Sequence, residues 1–168
     1  MSLLIDFYLG KLPNRHNKSL YDIWALDKFW LENDHHYIQW LFPLDIKSSC
    51  NLYAPIITKA EREIFSNSDQ LKKNQIRSLD LMLDFFGLSR EGINISAQEN
   101  LNIKDHIWLK RGGHNHLRIT RIIRSLGLCS QISFAKAFQA TVIKLGQEKG
   151  KVEPKTISYW ENALLNLD

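Results

Sequence analysis

Cysteine is scarce in this chain: 168 residues hold two, Cys50 and Cys129. Two are too few for a disulfide framework, and no Cys-x-x-Cys occurs. A reducing, cytoplasmic compartment is the simplest expectation. Long apolar runs are missing too. None approaches the ~18 residues of a membrane-spanning helix. The first nine residues are apolar, but Asp6 interrupts them and no basic stretch precedes them, so they read poorly as a signal peptide. There is no Gly-x-Ser-x-Gly, no Walker loop and no His-Glu-x-x-His. No convincing period-two alternation, internal repeat or low-complexity segment occurs.

Aromatics, by contrast, are plentiful: 8 Phe, 5 Trp and 5 Tyr. They point to a core built on large rings or a groove lined by them. The 44% hydrophobic and 24% charged fractions are ordinary for a soluble globule. A net charge of +4 permits weak attraction to nucleic acid or acidic lipid without requiring it. The length suits one domain, residues 1–168, burying about 70% of its unfolded surface.

The stretch His35-His36-Tyr37-Ile38-Gln39-Trp40-Leu41-Phe42-Pro43-Leu44 organises the chain. Tyr37, Ile38, Leu41 and Phe42 follow the rhythm of one helical face. Pro43 has no backbone N–H, so a helix capped by Asn33 or Asp34 stops near Phe42 after two to three turns. Trp40 belongs to its neighbouring apolar stripe. His35 and Gln39, four apart, share a face. They are either satisfied core groups or the lining of a pocket.

Elsewhere the helical signals are frequent. Leu3–Leu9 reads as either strand or helix. Ser19 caps one helix and Asp27 a short second one, Lys28 to Glu32. Thr58-x-x-Glu61 is a capping box opening a helix from Lys59 to about Ser66. Ser68 caps the longest helix, with Ile76, Leu79, Leu83 and Phe86 on one stripe and Gly87 as its left-handed end. Ser89–Ser96 reads as a loop and Ala97–Lys110 as a helix stopped by Gly112-Gly113. A strong helix from about His114 to Leu126 carries Ile119, Ile122, Ile123 and Leu126 on one face, with Gly127 as terminator. Ser130 or Ser133 caps the next, through Leu145. Pro154 opens the last. The expectation is an all-α fold: a compact single-domain bundle of about seven or eight helices, with the two motif helices near its centre.

Two of these segments carry a resemblance. His35-x-Tyr37-Ile38-Gln39-Trp40-Leu41-Phe42-Pro43 and His114-Asn115-His116-Leu117-Arg118-Ile119-Thr120-Arg121-Ile122-Ile123-Arg124-Ser125-Leu126 resemble the opioid growth factor receptor conserved domain. Phe7-Tyr8-x-Gly10 and Asn51-x-x-Ala54-Pro55 agree more weakly, in the same order. The resemblance implies an all-helical domain and, from the family's name, peptide binding in a signalling receptor. It supplies no catalytic residues. Its animal members extend beyond this domain.

Chemistry is less legible. Arg118, Arg121 and Arg124 fall opposite the isoleucine face. They form either an anion-binding ridge, with Lys110 and Arg111 beside it, or an ordinary charged helix face. His35, His36, His106, His114 and His116 would be the zinc candidates, but adjacent histidines on a helix diverge and no thiolate joins them. No reaction follows from any residue set, so no catalytic residue, cofactor or metal is assigned. The favoured expectation is a non-enzymatic module binding an unknown peptide, anion or protein partner. Its candidate ligand-binding residues are His35, Gln39, Trp40, Asn51, His114, Asn115, Arg118 and Arg121. Alternatives are a nucleic-acid-binding domain using the arginine ridge, and an enzyme with His35 or His114 as general base. The sharpest expectation is that His35 and Gln39 meet His114, Asn115 and Arg118, since unpaired buried polar groups are costly.

Overall fold

A computed structural model describes residues 2–168. Local capping chemistry sets most of its helix starts. Ser2 accepts from Ile5 N–H and opens α1, Leu3–Tyr8. Ser19 and Asp22 form a reciprocal capping box at α2, Leu20–Trp24. Asp27 accepts from Trp30 N–H at α3, Lys28–Asn33. α4 is Ile38–Leu41. Thr58 and Glu61 box the start of α5, Lys59–Ser66, and Ser68 caps α6, Asp69–Phe85. Strands β1, Leu88–Glu91, and β2, Asn94–Ala97, follow. After a 3-10 turn at Ile107–Leu109 come α7, His116–Leu128, α8, Ile132–Glu148, and α9, Pro154–Asn162, with Pro154 in its first turn.

The all-α expectation is overturned. The chain is 53% helical, with nine α-helices among the described residues and a two-stranded antiparallel sheet, so its content is mixed. The sheet is a hairpin pairing Leu88 with Ala97 and Glu91 with Asn94. Gly92, at φ 60°, takes the first of the two loop positions, where glycine relieves the positive dihedral. The stretch expected to be a loop therefore forms the hairpin. The helix expected over Ala97–Lys110 does not form either. Ala97 ends β2, and Asn102 Oδ1 accepts from Asp105 N–H at 2.9 Å, local bonding that competes with a helix.

The central stretch differs as well. α4 makes a single turn, and neither Asn33 nor Asp34 caps it. Asp34 Oδ1 instead accepts from His36 N–H at 2.9 Å and closes a turn before the helix. All four residues of α4 are buried. Trp40 meets Phe7 edge-on at 5.3 Å, and the Tyr8 hydroxyl donates to the Leu41 carbonyl.

α7 is the spine. It packs against α8 and α9, and of its residues only Leu117 is exposed. It runs through Gly127, where a Cβ would stand 2.8 Å from Leu164 Cδ2. That glycine serves close approach rather than termination. Ser130, left-handed at φ 61°, follows the helix end, and Gln131 precedes α8 without a side-chain cap. No helix among the described residues is long and apolar enough to cross a membrane.

Candidate functional site

A helix buried almost all round cannot hold three arginines in water. Each guanidinium of α7 reaches a different neighbouring segment instead of forming a solvated ridge. Arg118 takes the end of α3. Its Nη1 donates to the Leu31 carbonyl and to the Tyr37 hydroxyl at 3.0 Å. Its Nη2 donates to the Glu32 and Asp34 carbonyls at 3.3 and 3.2 Å and to His35 Nδ1 at 3.4 Å. A cation at a helix C-terminus satisfies carbonyls that have no partner inside the helix and offsets the dipole. Arg121 takes the Phe42 carbonyl at 3.1 Å, just past α4. Arg124 pairs with both carboxylate oxygens of Asp45, at 3.0 and 2.8 Å, and binds the carbonyls of Ala163, Leu165 and Asn166 beyond α9. The Arg124 hydrogen bond is the first cause holding the Asp45 carboxyl below its ordinary value.

The two polar sets do meet. Gln39 Nε2 donates to the His35 carbonyl at 3.0 Å, and His35 faces Arg118. On the other side, Glu32 closes the junction. Asn115 Nδ2 donates to Glu32 Oε2 at 3.0 Å, and His114 Nδ1 lies 3.3 Å from Oε1. Asn115 itself is left-handed at φ 78°, a conformation asparagine tolerates, and it precedes the first turn of α7. The free N–H groups at a helix start favour an anion. The chain's own Glu32 carboxylate supplies it.

Of the eight candidate residues, His35, His114, Asn115 and Arg118 gather around the α3 end and Glu32. Gln39 joins them through one hydrogen bond. Trp40 is 1% exposed and turned into the core. Asn51 sits in the loop after α4, its Oδ1 accepting from Tyr53 N–H at 3.0 Å. Arg121 lies one turn along α7 from Arg118.

Beside the Glu32 junction opens a cleft of about 490 Å³. α3 contributes Phe29 and Glu32, the end of α6 contributes Phe85 and Phe86, and the connection before α7 contributes Asp105, His106 and Trp108. Phe86 and Trp108 are buried floor residues, Trp108 Nε1 donating to the Phe86 carbonyl at 2.8 Å. Lys28, also on the lining, faces Asp84 at 3.6 Å. The cleft's lining thus combines two carboxylates, Glu32 and Asp105, with aromatic rings. Sequence reasoning named Asn115, which also lines the cleft, but missed Phe29, Glu32 and Asp105. The one available signal was Phe29-Trp30: adjacent aromatics on a short helix cannot both face the core. A more open groove of about 520 Å³ lies between α6, β1 and α8, away from both motifs. Four of its charges pair internally, Lys72 with Asp69 and Arg90 with Asp80.

Among the described residues, no three of His, Cys, Asp and Glu gather to hold a metal. His116 is a packing residue, its Nε2 2.7 Å from the Trp108 carbonyl and its ring edge-on to Trp160. Both cysteines are free. Cys129 is buried, and burial pushes its thiol up to about 12.

The sequence matches the family described as opioid growth factor receptor (OGFr) conserved region over residues 2–166. This chain belongs to that family. The opioid growth factor receptor of Mus musculus is 36% identical over 167 residues, 95% of this chain. The Homo sapiens receptor is 33% identical over 143 residues, 84% of it. Opioid growth factor receptor-like protein 1 of Xenopus tropicalis is 36% identical over 128 residues, 73% of it. The chain spans only about a quarter of the length of the first of these relatives, 25% of both the mouse and the frog protein. No solved structure matches it. Both long motifs of this opioid growth factor receptor region thus flank one junction, at Arg118 and Glu32, next to the aromatic cleft.

Proposed function

We propose that this chain is a ligand-binding module, and that it takes a short peptide segment in the cleft beside Glu32. The observation carrying this reading is the cleft's composition: Glu32 and Asp105 line it together with Phe29, Phe85 and Trp108. Convergent polar groups on an apolar, concave wall are the usual layout of a binding site. Two carboxylates favour a cation. Aromatic rings favour an aromatic or aliphatic side chain next to it, and a cation also interacts well with ring faces. A peptide with a free amino terminus and an aromatic first residue offers both groups. The relatives named opioid growth factor receptor bear a name that agrees with a peptide ligand.

The nucleic-acid alternative draws less support. Arg118 and Arg124 have their forks engaged by backbone carbonyls and Asp45, so few donors remain for phosphates. The general-base alternative draws little as well. His35 Nδ1 accepts from a guanidinium, and His114 stands exposed at the cleft's edge.

Isothermal titration tests the proposal. An aromatic peptide with a free amine should bind, and its N-acetylated form should bind at least tenfold more weakly, a difference of about 1.4 kcal/mol. Asp105→Asn should weaken the free-amine peptide similarly and leave the acetylated one unchanged. Equal affinity for the two peptides, or no heat from either, would remove the cleft as a peptide site.

A further inference from the structure

One wall of the groove between α6, β1 and α8 is a single helical stripe. Lys73, Ile76, Arg77 and Asp80 stand at i, i+3, i+4 and i+7 along α6, so their side chains share a face. Phe134 of α8 joins the lining and, like Ile76, is half-buried. Four cations line the groove, Lys72, Lys73, Arg77 and Arg90, against two carboxylates, Asp69 and Asp80. Both carboxylates are taken, Asp69 by Lys72 at 3.5 Å and Asp80 by Arg90 at 2.7 Å. Lys73 and Arg77 are left over. Neither enters an ion pair among the described residues.

Arg77 is nevertheless held in place. Its guanidinium carbon lies 4.2 Å from the centre of the Trp24 ring. That contact uses the cation's attraction to the ring face and consumes none of its N–H donors. The ring is fixed in turn, Trp24 Nε1 donating to Ser78 Oγ at 2.9 Å. A third lining group is oriented as well. Gln131 is 7% exposed, and its Nε2 donates to the Lys72 carbonyl at 3.0 Å and to Gln75 Oε1 at 3.1 Å. Both partners are acceptors, so the amide cannot turn over and its oxygen is left to accept. That Oε1 takes no donor among the described residues, yet it is not sealed from solvent.

We propose that this groove docks an extended acidic segment of a partner protein, with two carboxylates on Lys73 and Arg77 and an apolar side chain against Ile76 and Phe134. Charge complementarity selects the acid: the unpaired charges on the groove are both positive. Spacing selects the backbone. Residues four apart on a helix have Cβ atoms about 5–6 Å apart. Alternate residues of an extended segment point to one face at roughly 6–7 Å. An extended segment also keeps backbone N–H groups for Gln131 Oε1, whereas a helix has spent its own. Asp69 and Asp80 disfavour nucleic acid, whose evenly charged phosphates would meet them too. The groove shares no residue with the Glu32 cleft and prefers the opposite charge, so failure of one reading leaves the other standing.

Fluorescence anisotropy tests the proposal with a peptide, N-acetylated and labelled at its C-terminus, in which one leucine and two glutamates alternate with serine. Acetylation removes the free amine proposed for the Glu32 cleft. At about 50 mM salt, where exposed charges are weakly screened, the peptide should bind saturably. Lys73→Glu and Arg77→Glu, both at exposed positions, should each weaken binding at least tenfold. Asp105→Asn should leave it unchanged. Replacing the peptide's leucine by serine should weaken it as well, because the apolar floor is then unused. Lys73→Glu carries the test if loss of the Trp24 contact unsettles Arg77→Glu. Four results overturn the proposal: no saturable binding, unchanged affinity in Lys73→Glu, equal affinity for the peptide without leucine, or equal affinity for a single-stranded oligonucleotide of the same charge.

Discussion

Replacing Arg118 by methionine isolates what the guanidinium does at the α3 end. Methionine keeps most of the apolar stem, so packing changes little. Five acceptors lose a charged donor: the carbonyls of Leu31, Glu32 and Asp34, the Tyr37 hydroxyl and His35 Nδ1. They do not lose equally. The Leu31 carbonyl keeps the Tyr37 hydroxyl at 2.6 Å, and the Glu32 and Asp34 residues are half-exposed, so their carbonyls can turn to water. Hydrogen bonds to charged groups contribute about 1.5–3 kcal/mol each when nothing replaces them. Partial replacement brings the sum to roughly 2–4 kcal/mol, including about 0.5–1 kcal/mol from the cation over the Tyr37 ring. The measurement is equilibrium urea unfolding. At a slope of about 2 kcal/mol/M, the midpoint should fall by roughly 1–2 M. Arg118→Lys should recover less than half of the loss, because an ammonium cannot bridge several carbonyls with a planar fork. A loss under about 1 kcal/mol for Arg118→Met would refute the clamp, since that is the range of an ordinary surface substitution. Full recovery by lysine would show that charge, not fork geometry, is what α3 needs.

Trp40→Ala should destabilise by about 3–5 kcal/mol in the same assay, because the ring is buried against Phe7 and no neighbour can fill its volume. Gly87→Ala should cost about 1–3 kcal/mol: the position sits at φ 75°, and a Cβ would stand 2.6 Å from His106 Nε2. Arg124→Gln should make stability less sensitive to acid. The Asp45 carboxyl is held low in the folded state, so its contribution is present above the unfolded carboxylate value, about 3.9, and disappears as pH falls through the folded value. The gap between Arg124→Gln and the unaltered protein should be widest at neutral pH and narrow in acid; urea midpoints at both ends of that range would show it.

Elements announced by local chemistry were legible in the sequence. The Thr58/Glu61 box, Ser19, Asp27 and Ser68 each satisfy backbone groups within three residues, and Pro154 takes a first-turn position where its missing N–H costs no hydrogen bond, so no distant partner is needed to read them. The hairpin was not, and Arg90 shows why. It sits on the inward-facing register with Leu88, its guanidinium over the Phe134 ring at 5.4 Å and paired with Asp80 at 2.7 Å. A charge where alternation demands an apolar residue hides a four-residue strand. The helix expected over Ala97–Lys110 failed because Asn102 bonds locally to Asp105. At the site, the meeting of His35 and Gln39 with His114, Asn115 and Arg118 was readable from cost alone, as polar groups on apolar helices must find each other. Glu32 was not readable. It lies at the end of a helix whose direction only the tertiary packing sets, and the arginine ridge became three clamps for the same reason.

The cleft itself is tested most directly by following backbone amide resonances of isotope-labelled protein during titration with an aromatic, free-amine peptide. The account predicts saturable shifts concentrated at Phe29, Glu32, Phe85, His106 and Trp108, the residues that line the cavity beside the α3 end. Shifts concentrated instead along the groove at Lys72, Arg77 and Arg90, or no saturable shift at all, would contradict it.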